Sequence, residues 1–315
     1  MDSQPTISSQ PNLLDFVAAL DNVRAIVTVL KAISYKEHVI CFITRIGLTF
    51  IVQDSQSAQS IAYMRHELFR EYAFPSLDYQ AGEEASPEIS FSVNLQKLIE
   101  CLSIFGGMSS VPYGSASSSY TTSNQHDLKS GVQTTLRMHY AKAEGTLKLI
   151  LEDQGVVTVC KLRTYVADPT VELRANFNAS PTTSKLIINS EWLKGAFSEL
   201  DETSTSIRLL ISPRPPYFRI SASGLSGQTN IDYPNDTDVL EGFTSQATQT
   251  YSYNQKLFVP CLKALALSTK TSVKINLEGF LFLQFLIPVG EKANCFVDFL
   301  SCPTVDDSDQ DTDED

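Results

Sequence analysis

The sequence predicts an α+β protein of two similar halves, each made of two strand–helix–strands units with the helices on one side of antiparallel strands. Three observations carry this prediction. Residues 16–34 read as a short apolar run, FVAAL, followed by DNVRAIVTVLKAIS. There Val23, Ile26, Val27, Leu30 and Ile33 recur at the three-and-four spacing of one helical face. Other segments alternate as half-buried strands do, Ile89, Phe91 and Val93 against Ser90, Ser92 and Asn94 being the clearest. Finally, the second half replays the first. Phe91-Ser92-Val93-Asn94 aligns without a gap on Tyr251-Ser252-Tyr253-Asn254, and the same offset sets Cys101-Leu102 on Cys261-Leu262. Between the first and third helices, Arg24, Val27 and Leu30 fall on Lys194, Phe197 and Leu200.

Taken in order, the first helix has Asp21 or Asn22 to cap its orphan amides, and Arg24, Thr28, Lys31 and Tyr35 on its outer face. VICFITR, LTFIVQD and a long SIAYMRHELFREYAF follow as strands, with a turn at Ile46-Gly47. Residues 75–87, PSLDYQAGEEASP, form a loop before the alternating strand. The second helix sets Leu95, Leu98, Ile99, Leu102 and Phe105 on one face and stops at Gly106-Gly107. A serine-, glycine- and tyrosine-rich stretch, residues 107–131, is expected to be a flexible insertion. VQTTLRMHYA, TLKLILED and VVTVCKLRT complete the first domain, residues 13–164.

Prolines and polar residues mark 165–184 as a connector. The second domain, 185–303, opens on the strand KLIIN and a helix with Leu193, Ala196, Phe197 and Leu200 inward. SIRLLIS, YFRISAS and QTNIDYP read as strands, then YSYNQKLFVPCLKALALS as strand and fourth helix. Pro260 fits there if it lies in a first helical turn. SVKINL, FLFLQFLIPV and NCFVDFL close the sheet. Residues 1–12 are expected to be a disordered leader and 304–315 a disordered acidic tail.

Composition excludes several classes. No uncharged run reaches the roughly 18 apolar residues of a membrane span, and the polar start lacks the basic and apolar regions of a secretory signal. A cytosolic or nuclear protein with reduced thiols is expected, because the six cysteines sit among apolar neighbours with no Cys-x-x-Cys pair. The four histidines are scattered, so no metal is expected. No Walker loop, G-x-S-x-G elbow, His-Glu-x-x-His or Asp-x-Glu pair occurs, so no cofactor and no catalytic residue is assigned. The net charge of −12 argues against a nucleic-acid partner only at first sight. Seven acids lie in the tail (Asp306, Asp307, Asp309, Asp311, Asp313, Glu314, Asp315), leaving −5 for the rest. A modestly acidic body can still carry a basic lining.

The helices supply that lining. Arg24, Lys31, Lys97, Lys194, Lys256 and Lys263 lie on or near the faces opposite the apolar stripes. Arg24 and Lys31 are seven apart, as are Lys256 and Lys263, so each pair is expected to project together. Such a surface would neutralise phosphates without reading bases. Glu191 and Glu199 accompany Lys194 and weaken the third helix's share; a plain solvated face is the other reading.

Six separated motifs bear on the choice: LDNVRAIVTVLKAI (20–33), CLSIFG (101–106), GVVTVCK (155–161), AFSELD (196–201), PYFR (216–219) and KALALS (263–268). In order and spacing, over about residues 13–303, they resemble the Rad-one subunits of the heterotrimeric DNA-damage checkpoint clamp, the nine-one-one complex. The serine-rich insertion departs from that likeness. The resemblance implies the sliding-clamp fold, helices on the inner face of a three-subunit ring around double-stranded DNA, and a nuclear protein acting in checkpoint signalling and repair. It further implies partners: two different clamp subunits, an ATP-driven clamp loader, and checkpoint and repair proteins, with no membrane. By similarity the subunit edges would hold Val157, Val159, Lys161 and Arg163 on one strand and Thr229, Ile231 and Tyr233 on another. A partner-peptide pocket would combine the connector from Tyr165 to Ser184, Tyr165 and Val166 first, with the stretch Phe299-Leu300-Ser301-Cys302-Pro303. A 3′–5′ exonuclease and a homotrimeric replication clamp are the alternatives.

Overall fold

A computed structural model of the chain describes residues 15–74, 89–105, 133–169, 173–290 and 293–304. The expected leader, the 75–87 loop, the 107–131 insertion and the tail beyond residue 304 lie outside them.

Four asparagines start the helices of the repeat. Helix α1 (Arg24–Ala32) follows strand β1 (Asp15–Leu20), and the Asn22 Oδ1 accepts from the Arg24 amide at 2.9 Å. Strand β6 (Ile89–Asn94) runs directly into α2 (Leu95–Leu102), where Asn94 caps the Lys97 amide. Strand β10 (Thr182–Asn189) runs into α4 (Ser190–Glu199), with Asn189 bound by the Glu191 amide. Strand β15 (Gln249–Asn254) runs into α5 (Gln255–Phe258) and then α6 (Cys261–Leu267), with Asn254 capping Lys256. Asn94, Asn189 and Asn254 thus each end a strand and satisfy a first free amide of the helix, and Asn22, two residues past β1, does the latter for α1.

Between these units lie β2 (His38–Thr44), β3 (Gly47–Asp54), β4 (Ala58–Arg65), β5 (Glu71–Ala73), β7 (Thr135–Ala141), β8 (Thr146–Asp153) and β9 (Val156–Arg163) in the first half. The second half has β11 (Ser206–Ile211), β12 (Phe218–Gly224), β13 (Gly227–Tyr233), β14 (Leu240–Ser245), β16 (Lys270–Asn276), β17 (Leu281–Pro288) and β18 (Asn294–Ser301). The pairings repeat strand for strand, all antiparallel. β1 lies between β5 and β7 as β10 lies between β14 and β16; β2 lies between β3 and β6 as β11 lies between β12 and β15. β3–β4 matches β12–β13, and β7–β8–β9 matches β16–β17–β18.

One pairing breaks the repeat. β18 zips onto β4, from Phe296 opposite Tyr63 to Ser301 opposite Ala58, and fuses the halves into a nine-stranded central sheet. A five-stranded sheet (β5-β1-β7-β8-β9) and a four-stranded one (β13-β12-β11-β15) flank it. Alternate residues of the central sheet serve its two faces. Ala62, Met64, Leu283, Phe285, Val297 and Phe299 join the main core with the helices. Ile61, Phe282 and Leu300 make a smaller cluster with Leu173 and Phe177 of α3 (Leu173–Ala179) on the other face.

The structure departs from the sequence reading in four places. The long strand expected over SIAYMRHELFREYAF breaks after Arg65 into a 3₁₀ turn, His66–Leu68, and the short β5. The connector holds helix α3, whose Leu173 and Phe177 bury on the sheet; helical burial outweighs the local proline signal of Pro169 and Pro181. Strand β14, LEGFTS, lacked clean alternation and went unread. The fourth helix divides at Val259 and Pro260, since proline has no amide to continue the ladder. At the β2–β3 turn Gly47 has φ +146°, and a Cβ there would run into the Met64 carbonyl, so the hairpin requires glycine.

Candidate nucleic-acid interface

Four helices form a row on the core face of the sheets: α2 packs on α1, α1 on α6, and α6 on α4. Helix α1 is the most deeply set. Ala25, Ile26, Val27, Val29, Leu30 and Ala32 are buried, so its solvent stripe is Arg24, Thr28 and Lys31. Neither cation has an ion-pair partner among the described residues, and no acid lies within the helix. Lys256 on α5 is likewise exposed.

The other three cations are engaged. Lys97 is paired with Glu100 at 2.9 Å on α2, a bond that raises the lysine pKa and lowers that of the carboxyl. Lys194 reaches Glu191 at 3.4 Å. Lys263 donates to the carbonyl and hydroxyl of Ser34, capping the C-terminal end of α1 and tying the halves together. The expectation that Lys256 and Lys263 project together from one helix is corrected by the break at Pro260, which puts them on separate helices. Glu100, three residues after Lys97, was the sequence signal for its pairing.

Among the described residues, the two strands assigned to subunit contact by resemblance are both free sheet edges, β9 pairing with β8 alone and β13 with β12 alone. On β9, Val157 (56 % exposed), Val159 (51 %), Lys161 and Arg163 face solvent, while Cys160 and Leu162 pack toward the core. On β13, Thr229 and Ile231 are half-buried. Tyr233 departs from the expectation. Its ring is buried and stacked on Phe218, its hydroxyl donates to the Trp192 carbonyl, and burial pushes its pKa up to about 12. At that position backbone, not side chain, is available to an incoming strand.

Of the residues named for the peptide pocket, Leu300 and Cys302 meet the connector at Leu173 and Phe177, while Tyr165, Val166 and Phe299 lie elsewhere. Tyr165 bridges to Ser92 with its side chain exposed, and Val166 is 92 % exposed. Phe299 and Leu300, each 1 % exposed, are core residues on opposite faces of β18, Leu300 beneath α3. Strand alternation forces this: adjacent residues cannot both open on one groove. Pro303 is half-buried beyond the strand. A groove of about 450 Å³ on the α3 face is lined by Arg174 of the connector with Tyr63, Phe296 and Asp298, among others. There Asp298, fully buried, accepts from Arg174 and Gln284, each at 2.9 Å. Burial raises its pKa, and the Arg174 charge opposes that rise. Sequence reading also passed over Trp192, the chain's one tryptophan, half exposed on α4.

The six cysteines are free thiols, Cys41, Cys261 and Cys295 buried. Among the described residues no three His, Cys, Asp or Glu side chains converge as metal ligands, and no helix is long and apolar enough to cross a membrane.

Comparison with known proteins gives one family. Residues 15–287 match the family described as repair protein Rad1/Rec1/Rad17. The chain is 38 % identical to the mouse cell cycle checkpoint protein RAD1 over 287 residues, 91 % of each chain. It is 29 % identical to the DNA damage checkpoint control protein rad1 of Schizosaccharomyces pombe, covering 89 % of this chain and 84 % of that one. It is 20 % identical to the DNA repair exonuclease REC1 of Mycosarcoma maydis, covering 90 % and 89 %.

Proposed function

The chain belongs to the Rad1/Rec1/Rad17 repair-protein family, and from that premise we propose that it forms one arc of a heterotrimeric ring closed around double-stranded DNA. It has the sliding-clamp fold and is a checkpoint clamp subunit of the DNA-damage response.

One observation carries the ring. Within the chain, β18 and β4 join two equivalent halves edge to edge. Their counterparts in the repeat, β9 and β13, are left without that partner among the described residues. A subunit with one such joint made and two half-joints open is suited to head-to-tail closure. Free edges with exposed valines are also an aggregation liability until they are covered. The mechanism is topological. Closure holds the duplex, and the cations of the helix row give a sequence-independent attraction that lets the ring slide. An ATP-driven loader would open one joint to admit DNA, and the nucleus is where this work is done.

We read the subunit as non-catalytic. The name of the Mycosarcoma relative keeps an exonuclease as the second reading, at 20 % identity. Magnesium-dependent degradation of DNA by highly purified chain, abolished by an Asp or Glu substitution, would establish it. The ring is tested by co-expression with the two other checkpoint-clamp subunits and light scattering. A one-to-one-to-one assembly is expected. A stable self-trimer of this chain would support a homotrimeric clamp instead.

A further inference from the structure

The chain that leaves the last strand of each half returns to the same place. After β9, Tyr165 bridges Ser92 on β6: the Tyr165 amide donates to the Ser92 carbonyl at 2.8 Å, and the Ser92 amide to the Tyr165 carbonyl at 2.9 Å. After β18, the Thr304 amide donates to the Ser252 carbonyl on β15 at 2.7 Å. Ser92 and Ser252 are aligned serines of the repeat, so the chain beyond β18 sets out on the course that the connector takes in the first half. Among the described residues both serines lie on sheet edges, where a carbonyl is open to an added segment.

What lies beside the two serines differs. Opposite Ser92 on β2 is Ile40, half-buried, and next to it Ile51 of β3. Opposite Ser252 on β11 is Arg208, exposed, and next to it Ser221 of β12. Their neighbours Leu209 and Tyr253 go to the core, so Arg208 stands on the outer face of the four-stranded sheet. A groove of about 390 Å³ runs over that face, lined by Ser206, Arg208, Arg219, Ser221, Asn230 and Thr250, among others. Arg219 is forked onto Asp232, whereas Arg208 is in register with the residue that holds Thr304. From there the sequence continues VDDSDQDTDED, with all seven tail acids in eleven residues. Asp306 follows Thr304 by two residues, about 7 Å of extended chain, enough to cross one inter-strand spacing of about 4.8 Å to β11.

We propose that the acidic tail, residues 305–315, docks on this outer face of its own domain, with Asp306 or Asp307 on Arg208, and so keeps its charge away from the helix row. A guanidinium takes a carboxylate by two parallel hydrogen bonds, and the hydroxyls of Ser206, Ser221 and Thr250 offer further donors around it. The exchange of Ile40 for Arg208 matches the segments that follow, Tyr165-Val166 in the first half and Asp306-Asp307 in the second. Docking stands on the geometry of the single chain; its consequence for DNA rests on the ring reading above. Eleven extended residues span up to about 36 Å, and Lys256 on α5 begins only two residues past Asn254 at the end of β15. An undocked tail therefore reaches the cations of the helix row and competes there with phosphate.

Carbodiimide coupling tests the contact in the full chain, because it joins an amine to a carboxylate only where the two touch. Arg208→Lys keeps the charge and supplies the amine. The main tail product should be an amide between position 208 and Asp306 or Asp307, identified by mass spectrometry and suppressed about fivefold in 1 M salt. Coupling of the tail mainly to Lys256 or Lys263, or no coupling of the tail, overturns the inference whether or not a ring forms. In the assembled ring, Arg208→Glu should weaken duplex binding about threefold at 50 mM salt, and removing residues 306–315 from that variant should restore it. Circular dichroism and melting should stay unchanged in both variants. Binding by the Arg208→Glu ring equal to the parent's, or a loss that truncation does not restore, also overturns the inference. Failure of any ring to form removes the ring reading, and the coupling product then decides the docking alone.

Discussion

Removing the two unpaired cations of α1 should change the salt dependence of DNA binding by a calculable amount. Arg24 and Lys31 are separated by seven residues, roughly 10 Å along the helix axis at 1.5 Å per residue, so they reach different phosphates. Neither has an acid to satisfy first, so each can displace a condensed counterion. At roughly 0.9 per phosphate, losing both should flatten the slope of log K against log salt by about 1.8. Between 50 and 200 mM salt the variant would then lose affinity roughly tenfold less steeply than the parent ring. The assay is fluorescence anisotropy of the assembled three-subunit ring on duplex DNA, with Arg24→Ala, Lys31→Ala in this subunit. The control removes a cation together with its partner: Lys97→Gln with Glu100→Gln, a pair already closed at 2.9 Å. That variant should leave the slope nearly unchanged. An unaltered slope in the α1 variant, or equal flattening in the control, would show that α1 does not face the duplex.

Other perturbations test the joints and the scaffold. Val157→Asp with Val159→Asp places two charges on an edge that assembly must desolvate; one partner should drop out of the co-purified complex while the isolated chain melts as before. Arg174→Ala strips the cation from the buried Asp298 and should cost about 2 kcal/mol in urea unfolding, below the usual range for buried pairs because Arg174 is partly exposed. Because burial raises the folded pKa of Asp298, its contribution is complete below the unfolded value near ~4 and is lost as pH rises through the folded value. Taking Arg174 away raises that folded value further, so the deficit should grow from mildly acid toward neutral pH, and Asp298→Asn should recover most of it. Gly47→Ala, which drives a methyl into the Met64 carbonyl, should destabilise the β2–β3 hairpin by at least ~2 kcal/mol in the same assay.

The repeat was legible because it is written in local chemistry. Asn94 and Asn254 align in sequence and do the same work, ending a strand and capping a helix. The free edge at β9 came from the family resemblance; in the structure its exposed valines alternate with half-buried Cys160 and Leu162. What periodicity could not supply was pairing between distant strands. Nothing in NCFVDFL says that β18 crosses to β4, and that register decides that Phe299 and Leu300 turn inward to two different cores. The resemblance placed both in a pocket because a motif is read as a string, whereas a strand distributes its residues between two faces. Helix α3 was hidden for a related reason. LRANFNA has two apolar anchors, and their burial depends on a sheet face assembled from both halves.

The departures from symmetry divide the labour of the chain. The repeat gives every helix the same position relative to its sheet, yet charge is not repeated. Helix α1, beside the internal joint, carries Arg24 and Lys31 with no acid, and α5 nearby carries exposed Lys256. The helices next to the open edges, α2 and α4, hold their lysines against Glu100 and Glu191. At the offset that superposes Arg24 on Lys194, Lys31 falls on Asp201, whose carboxyl is tied to Thr203 and Ser226 and held well below the usual range. Within the helix row, among the described residues, unpaired positive charge is thus concentrated beside the internal joint and paired off toward the open edges, although Lys161 and Arg163 face solvent on the edge strand β9 itself. At a joint, an unpaired lysine would have to be desolvated or matched on each assembly, and opening for DNA would repeat that cost. In the proposed ring, helix cations placed where the chain has already closed on itself would separate attraction for DNA from the packing of the helices at the seams.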